Sequence, residues 1–227
     1  TIEVMPDIRS KILSDYVNLI IYKDIVERHR IKNLALMKHL VKYCFTNMAT
    51  AVSTTKLYND FKSQGFKLGK DTLFEYFSYL GDAFAIFSVP IFRNSVREEQ
   101  RNPKKIYAVD NGFKSVFDVS LSPDYGRLYE NAAFLHLRRK SGEVYYFLQK
   151  QEVDFYCKTD MGPLVANICY DIKNPKTRKR EVTGLVEALT FFNCNQGYLL
   201  TRDHEETAVY DSKNIMILPL WKWLLVF

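Results

Sequence analysis

Between residues 8 and 28, Ile12, Leu13, Tyr16, Val17, Leu19, Ile20 and Val26 recur at helical spacing among charged positions. That is the pattern of an amphipathic helix with a broad apolar face. Asn33 precedes a second such run through Leu36, Leu40, Val41 and Cys44 towards Met48, and Ser53 precedes a third through Leu57, Tyr58 and Phe61 that Gly65 stops. Asn and Ser side chains accept from the free N–H groups of a first turn, so each marks a helix start. A fourth helix is predicted from Asp71, with Leu73, Phe74, Phe77 and Leu80 at three- and four-residue steps before Gly81.

Strand-like runs at 85–89 and 105–109 flank a charged loop over 93–104. Helices around a glycine-containing turn, followed by such a hairpin, predict a winged helix whose wing is that loop. The stretch 111–125, with Gly112, Ser120, Ser122 and Pro123, is rich in turn formers and predicts a domain boundary. Beyond it come a helix through Leu128, Ala132, Phe134, Leu135 and Leu137, and strands near 144–148, 153–157 and 164–170. A basic segment, a helix over about 181–192, a strand at 198–201 and an apolar run from Ile215 complete the chain. This order predicts a mixed sheet flanked by helices, and the fold class is α+β.

Composition narrows the picture only modestly. At 227 residues the chain accommodates two small cores, and its 47% hydrophobic and 15% aromatic content describes a globular protein. A formal charge of +6 permits a polyanionic partner, although 26 acidic residues dilute it. Cys44, Cys157, Cys169 and Cys194 form no CxxC pair, which fits reduced thiols in a cytoplasmic protein. No apolar run of about 18 residues occurs, and residues 1–7 lack the features of a secretion signal. The expected protein has no membrane partner, and its start at Thr1 reads as a cut or processed chain.

Tyr22-Lys23-Asp24-Ile25-Val26-Glu27-Arg28, Lys70-Asp71-Thr72-Leu73, Tyr107-Ala108-Val109-Asp110-Asn111-Gly112, Gly126-Arg127-Leu128-Tyr129-Glu130-Asn131 and Glu152-Val153-Asp154-Phe155 occur in that order. In this combination the chain resembles the C-terminal region of prokaryotic AAA+ ATPases, a region of unknown function in which a winged helix precedes a PD-(D/E)XK nuclease-like domain. The resemblance runs from about residue 8 to the closing Trp221-Lys222-Trp223-Leu224-Leu225. It implies a helical connector from an upstream ATPase module over 1–48, a winged helix over 49–112 and a restriction-endonuclease-like α/β domain with a mixed central sheet over 113–227. No GxxxxGK[ST] occurs in this chain, so ATP binding is expected only in that upstream module.

The same resemblance implies where a nuclease site would lie. Nucleases of that fold hold Mg²⁺ with carboxylates, because a hard cation takes oxygen ligands and activates water beside the phosphodiester. Glu130 and Asp154 match two acidic positions, and both are candidate metal ligands. Where a carboxylate and a lysine two residues later are expected, the chain has Asn167 and Cys169. An amide brings no charge, and a thiol is a poor substitute for an ammonium near phosphate. The site therefore reads as degenerate, with Mg²⁺ as a cofactor only if it is active after all.

Nucleic-acid contacts are expected from Arg93, Arg97, Arg101, Lys104 and Lys105 in the wing, from Lys70, and from Lys176, Arg178, Lys179 and Arg180 in the basic segment. The presumptive recognition helix is less favourable, because Asp71, Glu75 and Asp82 accompany Lys70. His29, His39, His136 and His204 lack metal-ligand spacing, and no GxSxG occurs. The leading expectation is a non-catalytic accessory region of an AAA+ ATPase that binds DNA or a protein partner. A metal-dependent DNA or RNA nuclease with a rearranged site, and an interaction or oligomerisation scaffold, are the alternatives.

Overall fold

The computed structural model describes residues 6–117 and 123–227. The start of the connector expected over 1–48, and Ser120 and Ser122 of the expected boundary, lie outside the described residues. The described chain is a mixed α+β protein in two compact units. One unit runs to Ser88 and resumes from Pro103 to Pro123; the other comprises Val89–Asn102 and Asp124–Phe227.

The first unit opens with α1 (Pro6–Leu19), continued by a wider, π-helical segment, Ile20–Glu27. The broad apolar face expected here is buried only as a narrow stripe. Val17, Ile21 and Ile25 enter the core, whereas Ile8, Ile12, Tyr16 and Leu19 are exposed. Helix α2 (Leu34–Thr46) starts where its cap predicted, Asn33 Oδ1 accepting from Leu36 N at 3.0 Å, and buries Leu36, Leu40, Val41 and Cys44. After β1 (Thr50–Val52), Ser53 Oγ accepts from Lys56 N to cap α3 (Thr54–Ser63). Helix α4 (Lys70–Asp82) buries Leu73 and Leu80 and leaves Phe74 outside. A three-stranded sheet ordered β1, β3 (Lys104–Ala108), β2 (Ile86–Val89) completes this unit, with α6 (Gly112–Phe117) after it.

The connection between β2 and β3 differs from the expected irregular loop. It forms a short helix, α5 (Val96–Arg101), and through Asn102 it belongs to the second unit. There Phe92 N donates to Tyr146 O and Tyr146 N donates to Pro90 O. The Phe92 ring meets Tyr145, Tyr156, Phe191 and Phe192 edge-on, burying aromatic surface that a solvated loop would leave in water.

The second unit continues with α7 (Tyr125–Lys140), the strands β4 (Val144–Leu148), β5 (Glu152–Thr159) and β6 (Gly162–Ile168), and α8 (Pro175–Phe191). Then come β7 (Gln196–Thr201), β8 (Glu206–Tyr210), β9 (Lys213–Pro219) and α9 (Leu220–Val226). The sheet order is β4-β5-β6-β7-β9-β8. Pairings β6–β7 and β7–β9 are parallel and the others antiparallel. A parallel pair needs a crossover, and α8 supplies it between β6 and β7. The basic segment expected to precede that helix is instead its first turns, because Asn174 caps at Lys176 N and Pro175 fits N1.

Two details of this unit position its polar centre. Phe147 pairs with Val153 but Tyr145 with Tyr156, so two steps along β4 match three along β5. This bulge breaks the alternation of side chains next to Asp154. Helix α8 also approaches β5 closely: a Cβ on Gly184 would lie 3.1 Å from Gln151 Cβ and 3.4 Å from Glu152 O. Glu187 reinforces the approach, its carboxylate accepting from Lys150 N and Gln151 N.

Candidate functional site: a closed polar network in the second unit

Asp154 on β5 and Asn167 on β6 come together as the strand pairing dictates. Asn167 Oδ1 accepts from Asp154 N at 3.0 Å, and Asp154 Oδ2 accepts from Ile168 N at 2.8 Å. Both side chains are buried, Asp154 to 8% and Asn167 to 2% exposure. The other end of the Asn167 amide is also engaged, Nδ2 donating to Glu181 Oε2 at 2.5 Å. Arg180 closes the chain, its Nε and Nη2 donating to Glu181 Oε1 at 3.1 and 2.5 Å.

Glu181 is the member that sequence reasoning missed. Its signal lay in α8 itself: Glu181, Gly184, Leu185 and Ala188 share one buried stripe, and a charge inside an apolar stripe calls for a partner. A helix over about 181–192 would make Glu181 its first residue. With the helix beginning at Pro175, Glu181 lies within it and faces the sheet at 9% exposure. Burial pushes its carboxyl above the usual range, and the Asp154 charge adds to this; the bonds to Arg180 and Asn167 partly offset it.

Cys169, just beyond β6, has a thiol pushed up to about 11, first by burial and then by the Glu181 charge. Its Sγ lies 3.4 Å from Asp171 O. A neutral thiol cannot offset phosphate charge or position an attacking water as an ammonium would. Glu130 is half-buried on α7 and takes part in an interaction there. Among the described residues, no cluster of three or more His, Cys, Asp or Glu side chains is placed to hold a metal ion.

The expected basic residues separate into distinct situations. Lys70, Arg97, Arg101, Lys104, Lys176 and Lys179 are exposed. Lys105 is not: it is 2% exposed on β3 and partnered, which corrects the expectation of an exposed phosphate contact at that position. The place of β3 explains this: it is the central strand of its sheet, and from Lys105 to Ala108 every residue is buried, so only Lys104 at its start is exposed. Arg93 donates to the carbonyls of Phe92 and Leu148. Arg178 pairs with Glu206 at 2.6 Å and reaches Tyr210, and Arg180 is held by Glu181.

At the end of β6 the polar centre meets an aromatic surface. Tyr125 stacks on Tyr170 with centroids 5.1 Å apart, Tyr129 meets Tyr170 edge-on, and the Arg202 guanidinium lies 5.4 Å from the Tyr170 ring centre. Tyr125 is exposed, as is Lys173 nearby in the chain.

Comparison with known proteins gives relatives without assigned activities. A family model described as a domain of unknown function, DUF8612, matches residues 4–120. An uncharacterized protein of Methanocaldococcus jannaschii is 30% identical over 232 residues, covering 97% of this chain and 51% of its own length. An uncharacterized protein of Haemophilus influenzae is 23% identical over 172 residues, covering 74% of this chain and 43% of its own. The chain thus spans about half the length of the curated relatives it matches. No solved structure matches it. Among the described residues, no helix is long and apolar enough to cross a membrane.

Proposed function

This chain belongs to the DUF8612 family of unknown function, and on that premise we propose that it is a non-catalytic accessory region that binds nucleic acid without cutting it. The observation that carries this reading is the state of Asn167. Both ends of its amide are spent on Asp154 N and Glu181, so the strand position that would present a metal-binding carboxylate serves to hold the sheet and α8 together. The protonated thiol of Cys169 supports the same conclusion.

Nucleic acid is favoured as the target by exposed cations and an exposed aromatic ring. Lys173 and Lys176 offer charge for phosphates, whereas Arg202 is paired with Asp203, and Tyr125, stacked on Tyr170, offers a ring on which an unpaired base can stack. Lys70 and Lys104 of the first unit, and Arg97 and Arg101 on α5, extend the basic character expected of a winged helix and its wing. The curated relatives carry about as much chain again outside the matched region. That length has room for the AAA+ ATPase module expected from the resemblance, with this region as its accessory part.

The test combines binding and cleavage on the purified chain. Single-stranded and duplex DNA are expected to bind with an affinity that falls steeply with salt. Tyr125→Ala is expected to weaken single-strand binding by about 1–3 kcal/mol. Neither wild type nor Asp154→Ala, purified identically, should cut DNA or RNA with Mg²⁺ or Mn²⁺. Absence of binding at low salt would overturn the nucleic-acid reading, and cleavage by wild type that Asp154→Ala abolishes would establish the nuclease alternative.

A further inference from the structure

The six-stranded sheet treats its two edges differently. Along β4 the chain covers its own edge, with Ile91 bridging Tyr146 in parallel and hydrogen bonds joining Pro90 and Phe92 to Tyr146. At the other end, β8 pairs only with β9 among the described residues. The two residues between these strands, Asp211 and Ser212, have φ of 48° and 63°, the geometry of a tight two-residue hairpin turn. Tyr210 and Lys213 are therefore the flanking hydrogen-bonded pair. Antiparallel alternation then points the N–H and C=O groups of Thr207 and Val209 away from β9, towards the open edge.

Open edges are normally guarded by Lys, Pro, bulges or a covering segment. β8 reads Glu-Thr-Ala-Val-Tyr and holds unbroken register with β9 from Glu206 to Tyr210, with Val209 67% exposed. It holds no Lys, Pro or bulge, and among the described residues no segment pairs along its free edge. Beside it, between the first half of α8 and the end of β8, lies a cavity of about 420 Å³. Pro175, Val182, Val186 and the Tyr210 ring give it an apolar lining, with Lys179 and Thr183 contributing polar groups.

The charge around the cavity points to the kind of occupant. Arg178 is neutralised by Glu206, which His204 also contacts, and Asp211 adds one carboxylate at the turn. Lys176 and Lys179, both exposed, make no ion pair among the described residues. They leave the α8 side of the edge cationic. Self-pairing of two β8 edges about a two-fold axis would bring these lysines of both copies to one seam, which like-charge repulsion opposes.

We propose that β8 and the adjoining cavity dock an extended peptide segment of a partner protein, which joins the sheet as a further strand beside β8. Outward groups of Thr207 and Val209 bond its backbone, one apolar side chain enters the cavity, and an acidic side chain meets Lys179. This site is separate from the Asp154–Asn167–Glu181 network, because α8 turns Glu181 towards β6 and Val182 and Val186 towards the cavity. It stands whether or not the chain binds nucleic acid.

Fluorescence anisotropy with a fluorescein-labelled peptide of alternating valine and glutamate tests it. Saturable binding is expected, weakened about tenfold or more, the equivalent of about 1.4 kcal/mol, by Lys179→Glu and by Val209→Pro. The proline removes an outward N–H and no bond of the ladder to β9; Val209→Lys, which adds an edge guard, is the control should proline perturb the strand. Equal binding of the same peptide N-methylated at alternate amides would overturn strand addition, and equal binding of a valine–lysine peptide would overturn recognition of an acidic partner by Lys179. So would unchanged affinity in the edge variants, or no binding at all. A concentration-dependent dimer that Val209→Pro abolishes would identify a second copy as the occupant and likewise overturn the proposal.

Discussion

Replacing Asn167 by aspartate restores the carboxylate that a metal-dependent nuclease would carry on this strand, and places it where Asn167 Nδ2 now donates to Glu181 at 2.5 Å. Two ionised carboxylates at that separation repel by about 6–7 kcal/mol at an effective dielectric of about 20. The pair has a cheaper route, which is to take up a proton. Protonating a carboxyl of ordinary pKa near 4 costs about 1.4 kcal/mol for each pH unit above it, so about 4 kcal/mol at pH 7 and about 1.4 at pH 5. The lower figure governs at each pH, and the protonated carboxyl then donates to Glu181 as the amide did. Asn167→Asp should therefore be destabilised by up to about 4 kcal/mol near pH 7 and regain nearly all of it near pH 4. Asn167→Ala leaves Asp154 N–H unpaired in a buried place at every pH and a Glu181 oxygen unpaired as well, a loss of about 2–5 kcal/mol that persists near pH 4 and grows as Glu181 ionises. Urea unfolding followed by tryptophan fluorescence, with Trp223 buried as a reporter, measures both. An aspartate variant as stable as wild type near neutrality would refute the reasoning.

The pH dependence of the wild type supplies a related test. The Glu181 carboxyl is raised in the fold, so its contribution is fully present below the ordinary carboxyl value of 4.5 and is lost as pH rises through the folded value. Glu181→Gln keeps an acceptor for Asn167, should remove that decline, and should equal or exceed wild-type stability near neutrality. His136 has the opposite sign. Burial lowers its pKa below 6.5, helped by Lys140 and Arg139, so stability should fall as pH drops below 6.5, and His136→Phe should flatten that limb. Gly184→Val should destabilise by about 1–3 kcal/mol in the same urea assay, because branching at a Cβ already 3.1 Å from Gln151 forces α8 off β5. Isothermal titration of this chain with MgATP should show no binding, since no backbone loop of the P-loop pattern is present to cradle phosphates.

Local chemistry in the sequence determined much of the first unit. Asn33 and Ser53 start α2 and α3 because a single side-chain oxygen satisfies a first-turn N–H. The periodic apolar positions of α2 and the strands after α7 were equally legible, since helix and strand periods differ. What the sequence left open depended on distant partners. The charged segment after β2 reads as a loop, yet Phe92 docks among aromatics of β4, β5 and α8, and that burial decides where the segment belongs. The broad face of α1 reads as core, but only a stripe of it finds a surface to cover. The polar centre shows the limit most clearly. Asn167 and Cys169 announced a missing carboxylate and lysine, but residue identity could not tell what the amide does instead. That depended on the β5 bulge, the pairing of β5 with β6, and Gly184 letting α8 descend until Glu181 met the amide, all long-range contacts to which a local pattern is blind.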